Sequence, residues 1–287
     1  MISRSIAHIL KGEKLNVGAA DVKQPLPTTR VDQISPFLLL HHFGPNEAAP
    51  GEDPLGVGPH PHRGFEPVTF LYRGGIRHKD SRGNEGILAD GDVQWMTAGM
   101  GIIHSEMSSE AFLENGGVME GIQLWINLPQ RYKMVQPRYQ DIKASEMPRV
   151  PVADDRVQLT LVAGELDGQR GPAQTFTPIL AVKADFQAGG ETFIPIPEDF
   201  NAMAYILSGD IELSSGFSYP SETLLHFKND GEGFLLKAKA DSRVLILAGA
   251  PIDEPVAQWG PFVMNTQTEI MQAMRDYQMG KMGVYID

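Results

Sequence analysis

The chain has 287 residues, of which 42% are hydrophobic and 21% are charged, and its formal net charge is −12. This length allows one large or two medium-sized domains, and the composition is that of a globular protein rather than a disordered one. The acidic excess argues against direct binding of nucleic acid, because phosphate contacts need clustered Lys and Arg. The sequence has no cysteine, which excludes disulfides, thiol nucleophiles and Cys-ligated metal clusters.

The N-terminus and the shortness of the apolar runs predict a soluble, cytoplasmic protein without a membrane partner. Residues 1–8 (MISRSIAH) lack the apolar centre of a signal peptide. Apolar runs such as residues 37–40 (FLLL) are far too short to cross a bilayer.

Short stretches of β-branched and aromatic residues follow one another along the chain. The 30 glycines and 21 prolines are spread between them rather than gathered in one linker. Many short strands bounded by turn residues are typical of a β-sandwich or β-barrel. The clearest predicted strands are residues 68–72, 122–126, 157–162, 193–194, 205–207 and 244–247.

The two halves share a weak repeat. Residues 66–75 (EPVTFLYRGG) and 201–210 (NAMAYILSGD) each read as a strand ending in a Gly turn, and a second Gly turn follows roughly twenty residues later. A polar connection, residues 133–151, lies between the halves. The sequence therefore predicts an all-β protein of two tandem antiparallel β-barrels, residues 1–140 and 141–287.

One helix is predicted near the C-terminus. Thr266 and Glu269 form a capping box, in which each side chain bonds the other residue's backbone N–H. Ile270, Met274 and Tyr277 follow at helical spacing, and Gly280 is a plausible stop.

The chemistry-bearing residues concentrate in the first half, in the segments His60-Pro-His62 and His104-Ser-Glu106. In a strand, residues i and i+2 point to the same face, so each segment aims two ligating side chains in one direction. Two neighbouring strands that bring them together would offer three imidazoles and one carboxylate. This donor set suits a divalent transition metal, with iron, manganese, nickel, cobalt and copper all acceptable, and leaves two octahedral positions open.

Four motifs together resemble the pirin family of the cupin superfamily. They are residues 58–66 (GPHPHRGFE), 91–106 (GDVQWMTAGMGIIHSE), 121–128 (GIQLWINL) and 260–266 (GPFVMNT). The resemblance implies a bicupin of two jelly-roll-like barrels with one metal ion per chain, most often Fe(II). It implies His60, His62, His104 and Glu106 as ligands and a second barrel without ligands.

Some residues depart from that pattern or have a second interpretation. His41 stands where the family usually has Asp, and we expect a structural or supporting role for it. A general cupin would use Glu66 as its fourth ligand, but the resemblance to pirins favours Glu106. Gln123 is expected at an inner barrel position, where it packs in the core or faces the cavity, and His78 is expected in a solvated loop.

Two functions are compatible with this site. The first is a dioxygenase that opens flavonols such as quercetin with dioxygen, with Glu106 accepting the substrate's hydroxyl proton. The alternative is a regulatory protein that binds a transcription factor or a metabolic enzyme, with the metal's oxidation state controlling the affinity. Both functions need the same four ligands.

Overall fold

The computed structural model describes residues 1–286, and the chain divides into two compact units that are not contiguous in sequence. The unit called the N-barrel here consists of Lys14–Lys23, Phe37–Ala144 and the segment that begins at Ile252. The C-barrel consists of Met1–Glu13, Gln24–Pro36 and Ser145–Pro251. The division that we predicted at residue 140 therefore lies close to one boundary, but each unit also takes segments from the other half of the chain.

Twelve strands and one short helix occupy the first 142 residues. The helix α1 is Glu110–Asn115. The strands are β1 Ile6–Lys11, β2 Glu13–Val17, β3 Ala20–Leu26, β4 Phe37–Ala48, β5 Val57–His62, β6 Phe65–Arg73, β7 Ile76–Asp80, β8 Glu85–Leu88, β9 Val93–Thr97, β10 Ile102–Ser108, β11 Gly117–Asn127 and β12 Arg138–Ile142.

Fourteen strands and the second helix follow. The helix α2 is Gln267–Gln278. The strands are β13 Arg149–Val150, β14 Val157–Ala163, β15 Glu165–Leu166, β16 Gln169–Arg170, β17 Ile179–Phe186, β18 Glu191–Pro195, β19 Asn201–Ser208, β20 Asp210–Leu213, β21 Ser218–Pro220, β22 Thr223–Phe227, β23 Gly233–Ala238, β24 Ser242–Gly249, β25 Ala257–Trp259 and β26 Phe262–Met264. Two further single turns of 3-10 helix are Gln130–Tyr132 and Ala144–Glu146.

The sheets repeat one topology, which confirms the predicted pair of β-barrels. One four-stranded sheet has the order β5-β10-β7-β8, and the other has the order β18-β23-β20-β21. The seven-stranded sheets share the same central order, β9-β6-β11-β4 in one and β22-β19-β24-β17 in the other. Beside this centre β12 pairs with β9, whereas the N-terminal strand β1 pairs with β22.

Strand alternation explains the apolar core of the C-barrel. Ala202, Ala204 and Ile206 of β19 belong to one buried cluster with Val244 and Ile246 of β24. Residues two apart on a strand share a face, so these side chains form one inward-facing surface. The core therefore assembles from every second residue of its strands.

The predicted polar connection, residues 133–151, is more ordered than its composition indicates. Its residues Arg138–Ile142 form β12, which pairs along its length with β9. Lys133 is 1% exposed, and its ammonium group donates to the carbonyls of Gly64 and Val263 and to Asn127 Oδ1. Removing a charged amine from water is costly, and burial accordingly lowers the pKa of Lys133 to about 7. The three hydrogen bonds offset part of this cost.

The C-terminal helix is confirmed with its predicted cap. Thr266 accepts a hydrogen bond from the backbone N–H of Glu269, and the Glu269 carboxylate accepts from the backbone N–H of Thr266. Ile270 and Ala273 are buried and pack with strand residues of the N-barrel. Within residues 1–286, no helix is both long enough and apolar enough to cross a membrane.

Candidate metal centre

Two antiparallel strands of the N-barrel bring the predicted histidines together. His60 of β5 lies directly opposite His104 of β10, and His62 lies opposite Ile102. Directly opposed residues on paired strands share a face, and so do residues two apart on one strand. The local sequence alternation and the register of one strand pair are therefore enough to put three imidazoles on one side of the sheet.

The three imidazoles converge through their Nε2 atoms. His60 Nε2 lies 3.0 Å from His62 Nε2 and 3.0 Å from His104 Nε2, and one ligand atom from each residue lies within 4.8 Å of the other two. Two nitrogens bound at about 2.1 Å and at right angles on one ion would be about 3 Å apart. A hydrogen bond from one ring N–H could explain only one of these two short contacts. A cation can accept the Nε2 lone pairs of all three rings, so the residues fit a divalent metal ion.

The protonation of the rings also suits metal binding. His60 Nδ1 lies 2.8 Å from the Gly58 carbonyl oxygen, and a proton shared there leaves the Nε2 lone pair of the neutral ring available to a metal. Burial, and next the neighbouring His60, lowers the pKa of His62 and that of His104 well below the usual value. Both buried rings are therefore neutral at pH 7 and hold no proton that an ion must displace.

Glu106 belongs to the same face of β10 but its carboxylate is held elsewhere. Gln123 Nε2 lies 3.1 Å from each of the two carboxylate oxygens. Thr69 Oγ1 lies 3.2 Å from Oε1. Among the described residues, the group with ligand atoms within 4.8 Å of one another contains the three histidines and not Glu106. The role of Glu106 as the fourth ligand therefore stays a prediction.

Glu106 lines a small cavity of about 40 Å³ in the N-barrel. Its other polar lining residues are His41, Thr69 and Gln123. Burial lowers the pKa of His41 to about 4, so this ring is neutral at pH 7. The remaining walls are apolar: Val17, Ala20, Val22, Phe43, Leu55, Val57 and Ile76. Gln123 thus faces the cavity, as one of the two predicted placements has it.

Glu66 and Thr69 lie on opposite faces of β6, because their positions differ by three, an odd number, and side chains alternate along a strand. Its carboxylate accepts a hydrogen bond of 2.7 Å from Thr97 Oγ1 and is 1% exposed. Burial raises its pKa to about 7, against the smaller opposing effect of the Thr97 hydrogen bond. This placement separates Glu66 from Thr69 and Glu106, and the position of Glu66 outside the ligand set stays a prediction.

His78 was predicted in a solvated loop, and that prediction is wrong. It lies on β7 opposite Glu106, is 1% exposed and stacks on Tyr139, with ring centroids 4.8 Å apart. Gln94 contacts its ring through Nε2. Ile76, His78 and Asp80 alternate as the buried residues of β7, and this period of two was the sequence signal for a strand. The preceding Gly turn and the neighbouring charged residues made the segment look like a loop.

Sequence reasoning also missed the residues that fix the turn after His62. Arg63 donates from Nη1 to Asp276 of α2 at 2.9 Å and from Nε to the Met100 carbonyl at 2.7 Å. Lys133 donates to the Gly64 carbonyl at 2.8 Å. These contacts join β5 and β6 to distant segments of the N-barrel, and no local pattern in the sequence indicates them.

The fold and the site together define a bicupin with a candidate metal centre in one of its barrels. Residues 19–126 match the family model described as pirin, and residues 181–283 match that of the pirin C-terminal cupin domain. A pirin-like protein of Solanum lycopersicum is 40% identical over 269 residues, which are 92% of this chain and 87% of the relative. Human pirin is 36% identical over 282 residues, 96% and 92% of the two chains.

A solved structure is similar over nearly the whole chain. The crystal structure of quercetin 2,3-dioxygenase from Acinetobacter baumannii has a TM-score of 0.94 and 36% sequence identity, covering 99% of this chain and 100% of that one. The protein described here belongs to the pirin family. The resemblance seen in the sequence motifs is thereby confirmed.

Proposed function

We propose that this pirin is a metal-dependent dioxygenase of the quercetin 2,3-dioxygenase type, which uses dioxygen to open a flavonol. The observation that carries the proposal is the convergence, through Nε2, of His60 and His62 of β5 with His104 of β10. Strand β10 also carries Glu106 into a cavity. The similar Acinetobacter baumannii protein, which bears that activity in its name, supports it.

The three imidazoles would hold one divalent ion per chain, with Glu106 as the fourth ligand, and we propose iron in the cell. When bound, such an ion lowers the pKa of a coordinated hydroxyl group and exchanges electrons with dioxygen. A set of three nitrogens and one carboxylate leaves open positions for such chemistry.

The chain's own residues bind the substrate, exclude water and accept a proton. Glu106 is the carboxylate of the cavity and would take the proton of the flavonol's 3-hydroxyl group: the substrate O–H bond breaks and an O–H bond forms on the carboxylate. Apolar walls such as Phe43 and Ile76 keep water from the reacting groups.

The size of the cavity adds a condition. Pockets that bind drug-sized molecules have volumes of about 300–1,000 Å³, whereas this cavity measures about 40 Å³. Val17, Ala20 and Val22 of the β2–β3 hairpin form one of its walls. Entry of a flavonol therefore requires the cavity to widen.

Aerobic turnover by the reconstituted protein tests the proposal. The protein loaded with Fe(II) is expected to consume quercetin, seen as loss of the flavonol absorbance with uptake of dioxygen and release of carbon monoxide. The metal-free protein and the Glu106→Gln variant reloaded with iron are expected to be far slower. Unchanged absorbance with fully loaded wild-type protein would overturn the proposal and favour the regulatory alternative, in which the affinity for a protein partner changes with the iron oxidation state.

A further inference from the structure

Gln123 makes an unusual contact with the predicted fourth ligand. Its single amide nitrogen lies at the same 3.1 Å from both oxygens of Glu106. Thr69 Oγ1 lies 3.2 Å from Glu106 Oε1 and 3.2 Å from Gln123 Oε1. The carboxylate is therefore held by two neighbouring strands of the seven-stranded sheet, and both of its oxygens have a partner there.

The position of Gln123 is fixed by the register of the sheet. It lies directly opposite Thr69 of β6 on one side and His41 of β4 on the other. All three side chains line the same cavity as Glu106. Gln123 is partly buried, and an amide withdrawn from water needs a partner, which the Glu106 carboxylate supplies here.

We propose that Gln123 is a positioning residue that holds the Glu106 carboxylate in the cavity wall, apart from the three histidines, and so lets Glu106 alternate between binding the metal and acting as a base. This inference rests on the proposed function and adds the residue that controls its carboxylate. With both oxygens engaged by the amide, the carboxylate is withdrawn from an ion at the histidines. When it moves to the ion it gives up these hydrogen bonds.

The two positions serve two parts of the reaction. At the ion, the carboxylate completes the ligand set and its lone pair is shared with the cation. Against Gln123 and Thr69 it faces the cavity, where an oxygen lone pair accepts the proton that leaves a hydroxyl group of the substrate. The amide and hydroxyl groups stabilise the charged carboxylate in this second position, because hydrogen bonds to ionised groups are stronger than those between neutral groups.

The Gln123→Leu substitution separates positioning from general structural support. It removes the amide at similar volume, so the metal-free state loses a stabilising contact that the metal-bound state does not use. We expect the affinity for Co²⁺, measured by calorimetry with the intact protein, to increase by roughly 10-fold. The visible absorption bands of bound Co²⁺ should shift as the carboxylate enters the ligand set more fully. Turnover of quercetin by the iron-loaded variant should fall at least about 10-fold in kcat, with KM little changed.

The opposite signs of these two effects are the signature of the proposal. A merely structural role would weaken the site, so metal affinity and turnover would fall together. Gln94→Leu is the matched control, because Gln94 is the next glutamine in the same row of the sheet and contacts His78 and Asp141. We expect this control to leave the Co²⁺ affinity unchanged.

Thr69→Val provides a second, isosteric test with the same readouts. It removes one of the contacts to Glu106 and should shift Co²⁺ affinity in the same direction by a smaller factor, which keeps the inference testable if Gln123→Leu does not fold. Unchanged or weaker Co²⁺ binding in both variants would overturn the inference. Wild-type protein that does not turn over quercetin would overturn the proposed function instead, and the Co²⁺ measurements would still decide the role of Gln123.

Discussion

The two barrels place very different side chains at corresponding positions of the same sheet. In the N-barrel one row across four neighbouring strands is polar throughout: His41, Gln123, Thr69 and Gln94. In the C-barrel the four corresponding central strands carry an apolar row: Val182, Ile246, Ala204 and Leu225. Both barrels share the same scaffold. The side chains of this row therefore decide whether the interior of a barrel is polar or forms an apolar core.

The strands that carry the metal ligands show the same contrast. In the N-barrel, β5 places His60 opposite His104. The corresponding pair, β18 and β23, aligns Phe193 with Leu235 and Ile194 with Phe234. Since these four residues offer no metal-binding atom, the repeated topology itself does not need histidines. The imidazoles of the N-barrel therefore indicate chemistry rather than packing.

Removing a histidine should have the largest effect on this contrast. The wild-type protein is expected to bind close to one metal ion per chain by elemental analysis. His62→Ala or His104→Ala should weaken binding by more than the roughly 10–100-fold that is typical of losing a partner outside the ligand set. The circular dichroism spectrum of the variants should stay unchanged, because the barrel cores are apolar. A stoichiometry near two would show that the C-barrel also holds an ion.

Placing a polar residue in the apolar row tests the other side of the comparison. Ile246→Gln buries an amide where the neighbours are apolar and also removes apolar burial. We expect the free energy of unfolding of the C-barrel to fall by about 3–5 kcal/mol, measured by calorimetry on the full chain. Ile246→Val is the control and should cost only about 1 kcal/mol. Equal losses in the two variants would contradict this account of the row.

Glu66 gives a pH-dependent test of the face opposite the site. Its pKa is raised by burial to about 7, above the unfolded value of about 4.3, so the folded state holds a proton that the unfolded state releases between these values. Stability should therefore decrease as pH rises from about 4.5 to 7, by on the order of 3 kcal/mol, and remain at the lower level above that range.

Glu66→Gln should remove this decrease and leave metal binding intact. Subtracting the pH dependence of the variant's unfolding free energy from that of the wild type isolates the contribution of Glu66. The lowered pKa values of the buried histidines make stability increase with pH, which is the opposite direction. Loss of the metal in Glu66→Gln, together with its retention in Glu106→Ala, would mean that Glu66 is the fourth ligand.

The smallest expected effect concerns the helix α2, which belongs to the N-barrel. Thr266→Ala removes the hydroxyl that accepts from the Glu269 backbone N–H and should lower the free energy of unfolding by about 1 kcal/mol. Thermal unfolding should detect this change in the N-barrel, while Thr266→Ser should behave as wild type. A change confined to the C-barrel would contradict the assignment of α2 to the N-barrel.

Local sequence by itself determined the elements whose signals are short-range. The i and i+2 spacing of His60 and His62 predicted that both side chains share one strand face, and the structure places them beside His104. Thr266 and Glu269 predicted the helix start because a capping box involves only neighbouring residues. The repeated Gly turns predicted two barrels, since each strand pair is bounded by its own turn.

Only the tertiary structure decided where the long-range partners lie. The Glu106 carboxylate contacts Gln123 and Thr69, which lie 17 and 37 residues away, and the burial of His78 depends on strands that pair across the sheet. Likewise, β1 completes the C-barrel by pairing with β22, a contact between opposite halves of the chain. Strand order and register set these contacts, and alternation within a single segment carries no information about which strand becomes its neighbour.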